Sequence, residues 1–310
     1  MEVIKSKDFR HINIGPLVIA IGTFDGLHQG HQAVINKAKK IAEDKNLAVA
    51  VYTFNPHPLK IVKPAIAPKS IISSRQKIEL LANFDIDYYL EQKFTSDFSS
   101  IDYQDFILNF LLDKFNMKHL VVGEDFHLGK MGKGTIENIE KLTNNLGFDL
   151  TAVKTVEDLS IRVSSTLIRE LISEGNIKKA SLLLDRPYRL YGKVIRGFGR
   201  GKKLGYPTAN IKLDTDYSLP PRGVYACYVD YDSDRYKGVV NFGYNPTFGG
   251  VDYSIEVHII DFNKTDIYDK NISIDLIEQI RSEMTFDSSV DLIEQIKKDI
   301  LYTKNLLCYN

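Results

Sequence analysis

Gly22-Thr-Phe-Asp-Gly-Leu-His-Gln-Gly-His31 is the stretch whose surroundings decide the fold. Before it runs Leu17-Val-Ile-Ala-Ile21, an unbroken apolar run of the kind that forms a strand buried in a parallel sheet. After it, Val34, Ala38, Ile41 and Ala42 fall on one helical face, while Lys37, Lys39 and Lys40 fall elsewhere. Strand, glycine-punctuated turn and helix, in that order, suit a nucleotide triphosphate. A helix N-terminus offers unbonded N–H groups and the positive end of a dipole. Glycines at 22, 26 and 30 let backbone approach a ligand, and His28 and His31 lie at the helix mouth. Asp25, His28 and His31 are each three apart, so a metal site is a rival reading, although zinc needs three or four ligands and no further Cys or His cluster is near. Ordinary helix capping is a third.

His28-Gln-Gly-His31 is similar to the HxGH signature of the nucleotidyltransferase superfamily. The longer Gly22-x-Phe-Asp-Gly-x-His-x-Gly-His31 resembles its form in the bacterial bifunctional riboflavin kinase/FAD synthetases. The resemblance implies that Gly22, Phe24, Asp25 and Gly30 bind ATP phosphates and that His28 and His31 are catalytic. Attack on an α-phosphorus needs no protein nucleophile, because positioning and charge stabilisation carry such reactions.

The bulk properties narrow the class. A chain of 310 residues has room for two domains, each with its own core. Forty basic and forty acidic residues cancel, leaving no global field to recruit nucleic acid. Cys227 and Cys308 alone make no disulfide framework. The start, Met1-Glu-Val-Ile-Lys-Ser-Lys-Asp8, lacks the apolar core of a signal peptide, and no run approaches the ~20 apolar residues of a membrane span. The expectation is a soluble, cytoplasmic protein whose partners are small molecules, with no nucleic acid or membrane and with weak self-association left open.

Through the first half, strand and helix patterns alternate. Leu47–Phe54, His119–Val122 and Leu150–Lys154 read as strands; Arg75–Phe84, Asp102–Phe115 and Thr135–Leu146 read as helices. Such alternation predicts a parallel sheet covered on both faces, with ligands beyond the strands' C-terminal ends. Asn55-Pro-His-Pro58 and Gly123-Glu-Asp-Phe-His-Leu-Gly129 follow strands, as Gly22–His31 does. Two prolines also simply stop a strand. Phe54–Pro58 is similar to the family's F-x-P-H-P segment, and 123–129 resembles its V-G-x-D-F-x-F-G, with Leu128 where an aromatic is usual. The resemblance makes Asn55, His57, Asp125 and Phe126 flavin-binding candidates. Ser164, Ser165 and Thr166 are good N-cap residues, and with Arg169 one turn on they form a second anion site. The stretch resembles the family's S-S-T-x-I-R motif, which implies phosphate contacts from the hydroxyls and a catalytic role for Arg169.

Near Asp185-Arg-Pro-Tyr188 the pattern changes. Short β-rich runs follow at Tyr188–Ile195, Ala209–Leu213, Gly223–Tyr231, Lys237–Phe242, Ser254–Phe262 and Ile272–Ile280, the pattern of a small antiparallel barrel. A last helix, Ser288–Leu306, is expected to turn Leu292, Ile296, Ile300 and Leu301 toward it. Between the first two strands, Arg196–Asn210 mixes four glycines with four cations. The stretch reads either as a solvated hairpin tip or as a phosphate cradle in which Gly199, Arg200, Lys202 and Gly205 serve. Thr208 and Asn210 share a face of an extended run, and two neutral oxygens so placed suit Mg²⁺. In Ser254–Phe262, Glu256 and His258 alternate with Ile255, Val257 and Ile259. A mid-strand Glu is ordinarily a solvent-facing residue. Pro207–Asn210, Asn241–Phe248 and Glu256-x-His-x-x-Asp-Phe262 nevertheless resemble the riboflavin kinase motifs in the family's order, with Tyr206 for the more usual Phe. The resemblance makes Glu256 the general base toward the ribityl 5′-hydroxyl. Arg281, Glu283 and Phe286 resemble the family's R-x-E-x-x-F stretch, which puts Arg281 and Glu283 near the flavin.

The expected architecture is an α/β nucleotidyltransferase domain over 1–185, followed by a β-barrel riboflavin kinase domain with a C-terminal helix over 186–310. The expected chemistry makes FMN from riboflavin and FAD from FMN, with ATP as co-substrate and Mg²⁺ as cofactor. Two alternatives stay open: an FAD synthetase whose barrel only binds flavin, and a flavin-sensing regulator without turnover.

Overall fold

Five consecutive apolar side chains, Leu17–Ile21, are all buried and form an inner strand of a six-stranded parallel sheet. The structure is a computed structural model, and it describes the chain apart from residues 10–13, 159–160, 198–200, 202–203, 248–249, 264–266 and 309–310. Contacts divide it into two compact units, Met1–Lys69 with Ser74–Ser165, and Ser70–Ser73 with Thr166–Asn310.

In the first unit the strands are β1 (Glu2–Lys5), β2 (Leu17–Ile21), β3 (Ala48–Asn55), β4 (Tyr88–Lys93), β5 (Met117–Gly123) and β6 (Asp149–Val153), in the order β1-β4-β3-β2-β5-β6. Every neighbouring pair is parallel. The chain leaves β2 for β3 on one side and reaches β5 on the other, so the turn after β2 lies at a switch point of the sheet, where such folds bind ligands. Helix α1 (Gln29–Lys45) buries Val34, Ile35, Ala38, Ile41 and Ala42 against the sheet and ends at Asn46 in the left-handed region. Helices α2 (Ser74–Leu81) and α3 (Ile136–Leu146) follow β3 and β5; Thr135 caps α3 by accepting the Asn138 N–H. Strands β7 (Glu157–Asp158) and β8 (Ile161–Arg162) form a short hairpin ahead of α4 (Ser165–Ser173).

Two elements differ from the sequence expectation. β4 carries buried Glu91 and Gln92, which hide its strand character from any hydrophobic pattern. Tyr hydroxyls satisfy both: Tyr89 Oη donates to Glu91 at 3.1 Å and Tyr52 Oη to Gln92 at 3.1 Å. Of the helix expected over Asp102–Phe115, the part Phe106–Leu112 is wound as a π-helix. Phe106 and Leu111 are five residues apart and both fully buried, and the wider π turn brings such a pair onto one face.

The second unit contains α5 (Ile177–Leu184) and a closed antiparallel barrel. Its strands are β9 (Tyr188–Ile195), β10 (Ala209–Leu213), β11 (Gly223–Tyr231), β12 (Asp234–Thr247), β13 (Gly250–Ile259) and β14 (Asn271–Ser282), in the order β10-β13-β12-β11-β14-β9. Alternation of burial along β9, with Tyr188, Leu190, Gly192 and Val194 inward, is what one wet and one dry face requires. Helix α6 (Ser289–Leu306) starts at Ser288, whose Oγ accepts the Asp291 N–H at 3.2 Å. Leu301 does not face the barrel as expected; it is 60% exposed. The inward face is set by Asp299 and Thr303, and Leu301, two residues from each, lies about 200° around the helix from them. The contact division falls at Ser165/Thr166, earlier than residue 185. Ile177, Ala180, Leu183 and Leu184 of α5 are buried, and α5 packs on β9 and β14.

Candidate active sites

In the first unit, the loops after β2, β3 and β5 leave one edge of three adjacent parallel strands. The turn after β2 begins with Gly22 N–H donating to the Tyr52 carbonyl at 3.1 Å. Phe24 (φ 48°), Gly26 (φ 89°) and Leu27 (φ 44°) are left-handed. Gly26 adopts that conformation freely, whereas Phe24 and Leu27 keep it only because surrounding contacts impose it. Three carbonyls of the turn accept side-chain donors. Thr23 receives Lys77 Nζ at 2.6 Å and Thr53 Oγ1 at 3.2 Å, Asp25 receives Ser165 Oγ at 2.8 Å, and Leu27 receives Gln32 Nε2 at 3.2 Å.

His28 is buried and caps α1, its Nδ1 accepting the His31 N–H at 3.4 Å. The two imidazoles stack at 3.7 Å between centroids, and Phe24 meets His31 edge-on at 5.4 Å. Gly30 lets the His28 ring lie close, since a Cβ there would come within 3.1 Å of it. Among the described residues no group of three or more His, Cys, Asp or Glu is placed to hold a metal ion, so Asp25, His28 and His31 do not form one. Asp25 is 7% exposed. Burial lowers the Lys77 ammonium's pKa, and the Asp25 and Glu91 carboxylates oppose that shift.

Other candidates fall in varied surroundings. Asn55 Nδ2 donates to Ser74 Oγ at 3.2 Å. His57 caps the short helix Pro58–Val62, Nδ1 accepting the Leu59 N–H at 3.2 Å, so one ring nitrogen does the work of a turn. Asp125 is exposed and ion-paired with Arg162. Phe126 is half-buried against the hydrophobic core, and Leu128 is buried within it. Ser164 and Ser165 are half-buried and Thr166 is exposed; Arg169 follows Ser165 by four residues on α4.

In the second unit a cavity of about 370 Å³ opens between the outer barrel face and α6. Strand register explains its lining. Asn210 pairs with Glu256, Glu256 with Asn241, Asn241 with Val224 and Val224 with Arg281, so one row of side chains crosses five strands on one face. Thr208 Oγ1 donates to Glu256 Oε2 at 3.1 Å. Gly197 makes room for Asn210, since a Cβ there would lie 2.0 Å from Asn210 Nδ2. His258 Nδ1 is 2.9 Å from the Pro207 carbonyl, joining β13 to the chain just before β10.

Across the cavity Arg281 is clamped by Asp299 of α6, with Nη2–Oδ2 at 3.0 Å and Nε to the two oxygens at 3.2 and 3.1 Å. The guanidinium also lies 5.8 Å from the Phe286 ring. Val224, Val239, Leu292, Ile296 and Ile300 supply apolar wall. Glu283 lines the same cavity, exposed and paired with Arg222 at 3.1 Å. Gly205 is exposed and left-handed (φ 84°). Gly199, Arg200 and Lys202 lie outside the described residues. Sequence reasoning did not single out Lys77, Asn241 or Asp299. Asn241 lay within a quoted motif, but its meeting with Glu256 is a matter of register.

A family model described as FAD synthetase matches residues 12–167, and one described as riboflavin kinase matches 184–307. A bifunctional riboflavin kinase/FMN adenylyltransferase of Bacillus subtilis (strain 168) is 39% identical over 87% of this chain and 86% of its own. The protein of that name from Buchnera aphidicola subsp. Acyrthosiphon pisum is 37% identical over 97% and 96%. A crystal structure titled macrolide-efflux protein, from Streptococcus pneumoniae, superposes with a TM-score of 0.87 at 32% identity, covering 98% of this chain and 99% of that one.

Proposed function

This chain belongs to the bifunctional riboflavin kinase/FMN adenylyltransferase family, and from that premise we propose that it makes both FMN and FAD. One reaction moves the γ-phosphoryl of ATP to riboflavin, giving FMN and ADP. The other joins AMP from ATP to FMN, giving FAD and diphosphate. We assign the second to residues 1–185 and the first to 186–310. The observation that carries the reading is Glu256, half-buried in a largely apolar cavity and hydrogen-bonded to Thr208.

In the barrel, the apolar wall and Phe286 accept a flat aromatic ring system, while Arg281, fixed by Asp299, offers a directed donor. Glu256 takes the proton of the attacking ribityl hydroxyl as oxygen bonds to the γ-phosphorus and ADP departs. Thr208 holds the carboxylate in place. The neutral oxygens of Thr208 and Asn210, on one face, fit Mg²⁺, a cation that keeps waters and shares phosphate oxygens. When bound, Mg²⁺ would offset charge on the transferring phosphoryl group.

In the sheet unit, an FMN phosphate oxygen attacks the α-phosphorus and diphosphate leaves. That oxygen is already anionic, so no base is required. His28 and His31 stabilise the charge that moves onto diphosphate, and backbone N–H groups of the turn orient the phosphates. The name of the Streptococcus pneumoniae structure points to efflux. Among the described residues no helix is long and apolar enough to cross a membrane, and the site residues favour group transfer. Consumption of ATP supports a cytoplasmic location.

Incubation of the protein with riboflavin, ATP and Mg²⁺, with flavins separated by chromatography, tests the proposal. FMN followed by FAD is expected. FAD from supplied FMN but no FMN from riboflavin would reduce the barrel to a binding module.

A further inference from the structure

The turn after β2 is held in an unfavourable backbone conformation, and one of its supports is a charge. Phe24 is left-handed although it has a Cβ, and the peptide before it is fixed from behind. Its carbonyl, that of Thr23, accepts from Lys77 Nζ at 2.6 Å and from Thr53 Oγ1 at 3.2 Å. In a trans peptide the carbonyl and the following N–H point in opposite directions. Whatever holds the Thr23 carbonyl therefore aims the Phe24 N–H.

Lys77 comes from α2 and Thr53 from β3, so two elements outside the turn set this one peptide. The ammonium group is also balanced. Asp25 in the turn and Glu91 on β4 act on it electrostatically, and Glu91 is itself bonded by Tyr89 and approached by Lys5 at 3.7 Å. A lysine kept among buried groups needs compensating partners, because desolvation disfavours its charged form. Here the first of these partners, Asp25, belongs to the turn that the lysine supports.

We propose that Lys77 is a positioning residue for adenylyl transfer, fixing the Thr23–Phe24 peptide so that the Phe24 N–H faces the triphosphate. This rests on the adenylyltransferase reading of the first unit. Lys77 touches no reacting atom in this scheme; it acts through the peptide. Misplacing a binding group by about 1 Å commonly lowers turnover by ~10²-fold.

The test compares wild type with Lys77→Met, Lys77→Gln and Lys77→Arg, measuring kcat and KM for ATP in FAD formation, riboflavin phosphorylation, and thermal unfolding. Lys77→Met is expected to lose about 10²-fold in kcat for FAD per folded molecule. Its riboflavin phosphorylation should be unchanged. Lys77→Arg, which can still donate to the carbonyl, should recover to within about 10-fold of wild type. A merely structural lysine would lower the folded fraction and leave kcat per folded molecule untouched, and that result overturns the proposal. So does Lys77→Arg no faster than Lys77→Met. If Lys77→Met does not fold, Lys77→Gln decides by the same criterion. A wild-type protein that makes no FAD from FMN and ATP would overturn the adenylyltransferase reading itself.

Discussion

Replacement of Glu256 by glutamine isolates the proton-accepting role of that side chain. Glu256→Gln keeps length and planarity, and its amide oxygen can still accept the Thr208 hydroxyl, now 3.1 Å from Oε2. The cross-strand neighbours of Glu256 are Asn210 and Asn241, both neutral, and among the described residues no ion pair includes it. Among the described residues, removing the charge therefore strands no cation, and stability should change by less than about 0.5 kcal/mol, as for substitutions that break no buried network. A positioned base contributes ~10²–10⁴-fold, or about 2.7–5.4 kcal/mol of barrier at 1.36 kcal/mol per decade. FMN formation should fall within that range while the KM for riboflavin stays near wild type. Conversion of supplied FMN to FAD should persist. The assay is steady-state flavin production followed by chromatography, with thermal unfolding alongside. A folded Glu256→Gln protein that makes FMN at the wild-type rate would refute the reasoning and leave Glu256 an ordinary strand residue.

Other outcomes follow from other parts of the structure. His28→Ala and His31→Ala should each slow FAD formation by about 10²–10³-fold, the usual loss for one charge-stabilising donor, and leave the kinase step alone; equal loss of both activities in a folded variant would count against the assignment. His28→Ala should also destabilise α1 by about 1 kcal/mol, because it deletes a cap. Asp299→Ala leaves the Arg281 guanidinium, only 17% exposed, without its carboxylate, and should destabilise the barrel unit by about 3–5 kcal/mol and raise the KM for riboflavin; a melting temperature equal to wild type would show the pair to be dispensable. His119 has its pKa lowered, first by burial and then by Lys45, with Asp149 opposing and Lys37 adding to the lowering. The unfolded chain therefore takes up that proton first. Stability is present above the unfolded value of about 6.5 and is lost as pH falls from there through the lowered folded value. Thermal unfolding from pH 8 to 5 should show the loss, and His119→Asn should flatten it.

What could be read from the sequence was whatever depends on local pattern. β9, β10 and β11 begin and end where alternation and turn residues place them, and β2 and α1 flank the phosphate turn as their periodicity requires. Elements whose stability comes from distant partners were not legible. β4 looks unlike a strand because Glu91 and Gln92 face the interior, which is tolerable only with tyrosine hydroxyls supplied from β3 and from β4 itself. Asp299 is indistinguishable in sequence from the solvent-facing acids of an amphipathic helix until Arg281 of β14 is brought against it. The site residues divide in the same way. Thr208 and Glu256 are 48 positions apart, and strand register joins them. Phe126 carries a motif's aromatic, yet packing against the core decides where its ring goes.

The two units place their carboxylates differently, and on the proposed reading the two nucleophiles account for it. A ribityl hydroxyl is a poor nucleophile until it loses a proton, so a carboxylate must reach the reacting oxygen. Glu256 is half-buried at its cavity with a hydroxyl to steady it. An FMN phosphate oxygen is anionic before it attacks, and ATP brings further negative charge. A carboxylate facing them would repel both, by about 1 kcal/mol at 4 Å in water and by several times that in a shielded site. The phosphate turn nevertheless contains Asp25. The structure keeps that side chain 7% exposed, with the Lys77 ammonium among the charges acting on it. Its carbonyl, meanwhile, is taken by Ser165. We propose that Asp25 contributes to phosphate binding through the turn it belongs to, its charge set against the Lys77 ammonium, while backbone N–H groups and imidazoles meet the phosphates themselves. Asp25→Asn should therefore lower kcat for FAD formation by no more than the about 10²-fold expected of Lys77→Met, and a larger loss in a folded variant would show that the carboxylate meets the ligand itself.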